Sequence, residues 1–182
     1  AAAGVADLNP ASSDGNVTVR SVVISSGGTL EAPSHGAFNL TGTLSAWSFQ
    51  NNSTNFNHNN GTITQTNAGH IKSVSSNPFY NFIMNSSSSD SHEAAFRPST
   101  GTDCVIAAGD VTVTRGILKL NTTSDTASMG SLTIGGTGTY QASSTTTTIQ
   151  GNVDIDGTFT NNDGTVVLTP SANSSVWANN LH

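Results

Sequence analysis

Apolar and polar residues alternate in short bursts along this chain. Val17-Thr18-Val19, Val111-Thr112-Val113, Ile117-Leu118-Lys119-Leu120, Leu132-Thr133-Ile134 and Val153-Asp154-Ile155 are each bounded by Gly, Asn, Asp or Ser. A period of two is the period of a strand with one buried face, so these bursts predict strands of about three to five residues. No window carries an apolar stripe of helical period. Glu, Lys and Leu are scarce while Thr and Val recur among many glycines, the opposite of helix propensity.

The bursts belong to a longer repeat. Gly28-Thr29-Leu30-Glu31-Ala32-Pro33-Ser34 aligns with Gly138-Thr139-Tyr140-Gln141-Ala142-Ser143-Ser144, and upstream Val22 and Ile24 fall on Leu132 and Ile134. Further on, the stretch from Asn55 to Thr66 aligns with that from Thr158 to Thr169, including Asn59-Asn60-Gly61 on Asn162-Asp163-Gly164. Order is kept while the offset drifts, as loop insertions and deletions would produce. A finer beat of Gly-Thr-apolar recurs at Gly28, Gly42, Gly61, Gly138, Gly157 and Gly164. The glycine is expected at a turn and the apolar residue inward.

Strands this short gain stability by stacking coil on coil, with ladder bonds at about 4.8 Å spacing. The expected fold is therefore all-β, a right-handed parallel β-helix (β-solenoid) with an internal duplication. Coils of about 20–25 residues would give about seven or eight turns and a rod of about 35–40 Å. Residues 1–16 are expected to form an N-terminal arm that packs on a neighbour. Residues 17–182 form the solenoid, copy one spanning about 17–108 and copy two about 109–182.

Composition narrows the function classes. With 182 residues the chain suits one domain. Five Lys and Arg against eleven Asp and Glu give a net charge of −6, which leaves no basic surface for a phosphate backbone, so no nucleic-acid partner is expected. The longest apolar runs, such as Cys104-Val105-Ile106-Ala107-Ala108, fall far short of the roughly 18 residues of a membrane helix, so no membrane partner is expected. Ser, Thr, Asn and Gly make up about half the chain, so its polarity is uncharged and compatible with regular structure, unlike the charge-rich composition of disorder.

Candidate chemistry is sparse. Asn152, Asp154 and Asp156 alternate along a strand and share one face, where paired carboxylates would suit Ca²⁺ or acid/base work. Val153 and Ile155 take the inward face, which leaves the acids on a wet surface and favours a solvated ladder. Gly135-Gly136-Thr137-Gly138-Thr139-Tyr140 opens like a calcium-binding nonapeptide, but Tyr140 stands where the ligating Asp is needed. The histidines, His35, His58, His70, His92 and His182, show no metal-gathering spacing, and the duplicate of His58 is Asn161, so a polar turn residue suffices there. Cys104 is expected as an inert core thiol with no disulfide partner. No catalytic residue, metal site or cofactor is predicted. Most aromatics are expected to fill the core. Trp177, with Trp47 and His182, is the candidate contact for a partner or glycan. The Ser86–Ser91 run is expected to be a flexible loop, and Thr145–Thr148 a threonine ladder on an edge or outer face.

Asn77-Pro78-Phe79-Tyr80-Asn81-Phe82-Ile83-Met84-Asn85, then Gly109-Asp110-Val111-Thr112-Val113, then Gly157-Thr158-Phe159-Thr160-Asn161-Asn162-Asp163-Gly164-Thr165-Val166-Val167-Leu168 form a recurrent pattern. It resembles the β-solenoid repeats of bacterial surface adhesins and of structural proteins of environmental, notably marine, tailed phages. The resemblance runs from about Val17 onward and is specific for architecture. It implies a non-enzymatic surface module of a virion (fibre, spike or capsid decoration), or an adhesin segment on a cell surface. It further implies a homotrimer, contacts with other virion or surface proteins, and host glycans as ligands. Two departures stand out: copy one lacks a match to Ile117–Gly130, so the cross-section is expected to change along the rod, and Trp177-Ala178-Asn179-Asn180 begins another Phe79-Tyr80-Asn81-Phe82 unit. A polysaccharide-degrading or polysaccharide-binding β-helix is the alternative, and the rarity of Arg and Lys argues against the degrading form.

Overall fold

A computed structural model describes residues 5–8, 15–42, 46–74, 76–97, 104–120, 126–170 and 173–178. Among them every regular element is a strand, and every strand pairing is parallel. The strands wind as a β-solenoid of about 7 turns with three faces.

The first face runs the length of the stack through β2 (Val17–Val19), β5 (Phe38–Leu40), β8 (Thr62–Gln65) and β10 (Asn81–Asn85). It continues through the first halves of β13 (Val111–Leu120) and β15 (Leu132–Gln141), then β17 (Val153–Ile155) and β20 (Val176–Ala178). The second face comprises β3 (Val22–Ile24), β6 (Trp47–Asn51), β9 (Gly69–Lys72), β11 (Glu93–Phe96), the second halves of β13 and β15, and β18 (Thr158–Thr160). The third face is split. One part holds β1 (Val5–Asp7), β4 (Thr29–Glu31) and β7 (Asn55–Asn57), and the other β12 (Cys104–Val105), β14 (Ala127–Met129), β16 (Thr146–Ile149) and β19 (Thr165–Leu168). Between the two parts lies Phe79, which makes a single parallel bridge to Ala107.

Register explains the choice of residues. Val17, Phe38, Ile63, Phe82, Val111, Leu132, Val153 and Val176 are successive partners in one column of the first face. All are apolar, because a coil of any length must return an inward side chain to the same column. Coil length varies from 19 residues between Ile63 and Phe82 to 29 between Phe82 and Val111. The first and second faces persist throughout, while the third is interrupted in the coil of Phe79. The core is rich in aromatics: Phe79 packs on Phe49, Phe82 and Phe96 at ring distances of 4.9, 5.5 and 6.0 Å.

Several expectations need correction. Val5–Asp7 pairs in register with Thr29–Glu31, and Leu8 N donates to Glu31 O, so this part of the expected 1–16 arm belongs to the coil stack. Gly138 lies inside β15 and not at a turn, and Val166 is exposed because it stands on the last described third-face strand. The Gly42 repeat runs into residues outside the described set. The Ser86–Ser91 run forms the corner between β10 and β11, where Ser86 Oγ accepts from the backbone N–H groups of Ser88 and Ser89 and pairs with His92 Nδ1. Within the threonine run, β16 is paired on both sides, and Thr147 faces the core.

The two aligned halves lie one face apart. Val22–Ile24 and Thr29–Glu31 sit on the second and third faces, whereas Leu132–Ile134 and Thr139–Gln141 sit on the first and second. The same shift separates Asn55–Asn57 and Thr62–Gln65 from Thr158–Thr160 and Thr165–Leu168. What recurs is therefore a corner with its flanking strands, reused one side further round the triangle.

Candidate interaction surface

Most inward positions are apolar, with Asn51, Gln65 and Thr147 as exceptions, so accessible chemistry lies in the outward columns and the corners. On the first face Thr18, Asn39, Thr64, Ile83, Thr112, Thr133, Asp154 and Trp177 follow one another as register partners, a nearly uncharged column that is polar except at Ile83 and Trp177. Beside it the corner residues form a ladder. The Asn16 side chain accepts from Ala37 N at 2.8 Å, Asn81 from Asp110 N at 2.9 Å, Ser131 from Asn152 N at 3.3 Å and Asn152 from Ser175 N at 2.9 Å. Each side chain satisfies a corner N–H of the next coil, which would otherwise have no ladder partner.

Trp177 lies in this surface, 65 % exposed, with Asp154 as its register partner. Thr133, Asn152, Val153, Asp154, Asp156, Ser175 and Trp177 line a groove of about 600 Å³. Val153 and Ile155 are buried and the acids point outward, as the alternation predicts. Around the edge from this groove, Ile149, Phe159, Val166, Leu168 and Val176 line an apolar hollow of about 430 Å³.

Trp47 is half-buried on β6 of the second face, its ring edge-on to His70 at 5.7 Å. Trp47 and Trp177 thus stand on different faces, six first-face strands apart when β5 is taken as the strand before β6, or about 29 Å along the axis. They do not form one platform. His182, the third predicted contact, lies outside the described residues.

The other histidines are accounted for locally. His35 Nδ1 pairs with Ser34 Oγ, and His92 Nδ1 with Ser86 Oγ. His58 Nδ1 accepts from Asn60 N at 2.9 Å, as Asn161 Oδ1 accepts from Asp163 N at 3.3 Å in the duplicate corner. The polar-turn reading of His58 therefore holds, and its ring also lies on Tyr80 at 5.4 Å. Partial burial lowers the pKa of His58. His70 is lowered by desolvation and by the Arg97 charge, with Glu93 acting in the opposite sense. Among the described residues no three His, Cys, Asp or Glu side chains gather as a metal would require. Two ion pairs brace this region, Arg115 with Asp90 of the corner and Lys119 with Glu93 of the adjoining second-face strand at 3.6 Å.

Sequence reasoning missed two features. Tyr140 and Thr147 hydroxyls are both buried without a hydrogen bond of ordinary geometry. Burial raises the phenol pKa well above its usual value, and the nearby Thr147 hydroxyl offsets this only in part. The second feature is a groove at the corner between the second and third faces, lined by Ser26, Asn51, Asn52, Ser53, Thr54 and Lys72 among others. It is assembled from three successive coils, so no local motif announces it.

No family model, no curated protein and no solved structure matches this chain.

Proposed function

We propose that this chain is a non-catalytic structural and interaction module, a surface-exposed β-solenoid of a phage virion that serves as a fibre, spike or capsid decoration. The observation that carries the reading is the first face, where an apolar inward column runs from β2 to β20 beside an outward column that is polar except at Ile83 and Trp177. Parallel ladders with few charges make a stiff rod with a continuous outer surface. The exposed carboxylates of that surface, Asp154 and Asp156, are suited to solvation and contact more than to acid/base work. Homotrimerisation is part of this proposal, since cyclic assembly covers exposed edges against sister chains. Intact mass combined with light scattering tests it: a trimer of 18.6 kDa chains supports a virion-type element, and a stable monomer removes the trimer. Antibody raised against the purified chain should decorate phage particles. Labelling of bacterial cells alone would instead establish the adhesin reading.

Trp177 favours a second reading, a glycan-binding surface. An exposed indole offers an apolar face to a sugar ring, and Asp154, Asp156 and Asn152 beside it offer acceptors for hydroxyls. Glycan-array binding abolished by Trp177→Ala would establish it. New reducing ends released from a polysaccharide would instead show an enzyme.

A further inference from the structure

The inward columns are sealed in the middle of the rod and open at both described ends. Phe82, Val111 and Leu132 of the middle coils are fully buried, whereas Val166, Leu168 and Val176 of the last coil are 39, 42 and 55 % exposed. These three border the apolar hollow of about 430 Å³. The first coil behaves alike. Leu8, Val17, Val19 and Val22 are only partly buried against the core, and Ala6, Val22, Ile24 and Leu30 line a hollow of about 360 Å³. Among the described residues, β18, β19 and β20 have no strand on their far side, and β1, β2 and β3 none on their near side. A stacked repeat whose end shows apolar columns and unpaired ladder groups lacks the polar cover that keeps such repeats soluble, and it is a template for further strands.

The fold decides what fits the last coil. Both ends carry the same three faces in the same order with all strands parallel, so a whole-coil translation along the axis sets β1 on β19 and β2 on β20. Ala6 and Leu8 then meet Val166 and Leu168, while Val17 and Val19 meet Val176 and Ala178. The outward residues are compatible, since Asp7 arrives beside Val167 and Thr18 beside Trp177, with no acid opposed to an acid. Two last coils brought together would superpose only one face on itself and swap the other two, with the strands antiparallel. The first face carries one strand more than the second, so one rung stays open between β18 and the incoming β3. The contact therefore rests on the first and third faces.

We propose that the last described coil docks the first coil of a second copy, so that chains of these 182 residues add head to tail along the rod axis. Such a contact is heterologous and does not close, so it yields a series of lengths and not one oligomer. It joins ends, whereas the cyclic assembly proposed above joins sides, and it stands whether or not trimers form. The test is light scattering of the full chain over rising concentration, with electron microscopy of the same samples. Mass should climb with concentration, and rods should lengthen by about 38 Å per copy, eight rungs at about 4.8 Å. Leu168→Asp, at a half-exposed inward position, should stop this growth, and so should Ala6→Asp at the other end, each with the β-sheet circular dichroism retained. An equal mixture of the two variants should form two-copy rods and nothing longer, because one compatible pair of ends remains. Should a variant lose its sheet signal, the wild-type series alone decides. A wild-type mass independent of concentration overturns the proposal, and a constant trimer would do so while leaving the cyclic assembly intact. Wild-type growth that stops at end-to-end pairs, growth retained by either folded variant, or no pairing in the mixture also overturns it.

Discussion

Asn59 and Asn162 show how one residue type holds a corner. Their φ values of 48° and 50°, followed by 56° at Asn60 and 62° at Asp163, lie in the left-handed region that Asn and Asp tolerate better than other non-glycine residues. Each asparagine also donates from Nδ2 to a carbonyl of the coil below, Ala32 at 2.7 Å and Ala142 at 2.6 Å. Asn162→Ala loses both features and should destabilise the fold by about 1–2 kcal/mol in urea titration, while Asn162→Gly keeps the backbone freedom and should cost less. His58 offers a contrast, since it needs only an acceptor for Asn60 N. The His58→Asn change should leave the midpoint near neutral pH unaltered but flatten its pH dependence. The sign follows from burial: the folded-state pKa of His58 lies below the unfolded value, so folding binds fewer protons. Stability is fully present above the unfolded pKa and declines as pH falls through the lowered folded one. Comparison of urea midpoints at pH 7.5 and 5, wild type against His58→Asn, measures the difference. A decline of equal size in both would assign the acid sensitivity to other groups, His70 first.

At the scale of an element, two of the three glycines in β15 have opposite demands. A Cβ at Gly138 would stand 2.1 Å from Val113 O, a backbone atom of the adjoining strand, whereas a Cβ at Gly136 meets nothing within 4 Å. Gly138→Ala should therefore cost about 2–3 kcal/mol and Gly136→Ala nothing or a small gain, read from thermal midpoints. On the inner side of the same strand, the Tyr140 hydroxyl gives up water without gaining an ordinary hydrogen bond. Tyr140→Phe should thus be neutral or stabilising, and the Tyr140→Phe, Thr147→Val pair more so, because no orphaned hydroxyl remains. These elements also mark how far the sequence could be read. Val17-Thr18-Val19 or Val153-Asp154-Ile155 announced strand and facing at once, because period two is a local signal. The ten-residue strands β13 and β15 were read as separate short bursts, since their turn from the first face to the second is made within the strand. At Gly116, φ is 95° and the register slips near Arg115, a bend without a loop. The Asn51–Lys72 groove was illegible for a different reason. Its residues come from three coils, and which of them adjoin depends on coil lengths that vary from turn to turn. Trp177 was legible as exposed, but its partner Asp154 followed only from register.

Across the whole molecule, the first and second faces are continuous ladders and the third is not. Its strands form one set of three and another of four, and the coil between them contributes an isolated bridge at Phe79 instead of a strand. Backbone ladders therefore couple the two halves on two faces, whereas on the third they shrink to the Phe79–Ala107 bridge with its Ala108 N to Phe79 O bond, and side-chain packing carries more of the coupling. Phe79 is placed to do so. Its ring meets Phe49 and Phe56 of the preceding coil at 4.9 and 6.0 Å, and Phe82 and Phe96 of the following one at 5.5 and 6.0 Å. In a stacked repeat, stability is close to a sum of coil and nearest-neighbour terms, so cooperativity depends on the weakest interface. Truncating Phe79 to Ala should cost about 3–5 kcal/mol, as expected for a fully buried ring. It should also act unevenly, because the loss falls at the junction. Hydrogen exchange in the wild type should protect β4 and β16 with one common opening free energy. In Phe79→Ala the two should separate, and calorimetry should resolve two transitions where the native chain gives one. A single lowered transition with uniform exchange would show that the first-face and second-face ladders alone suffice to make the rod one cooperative unit.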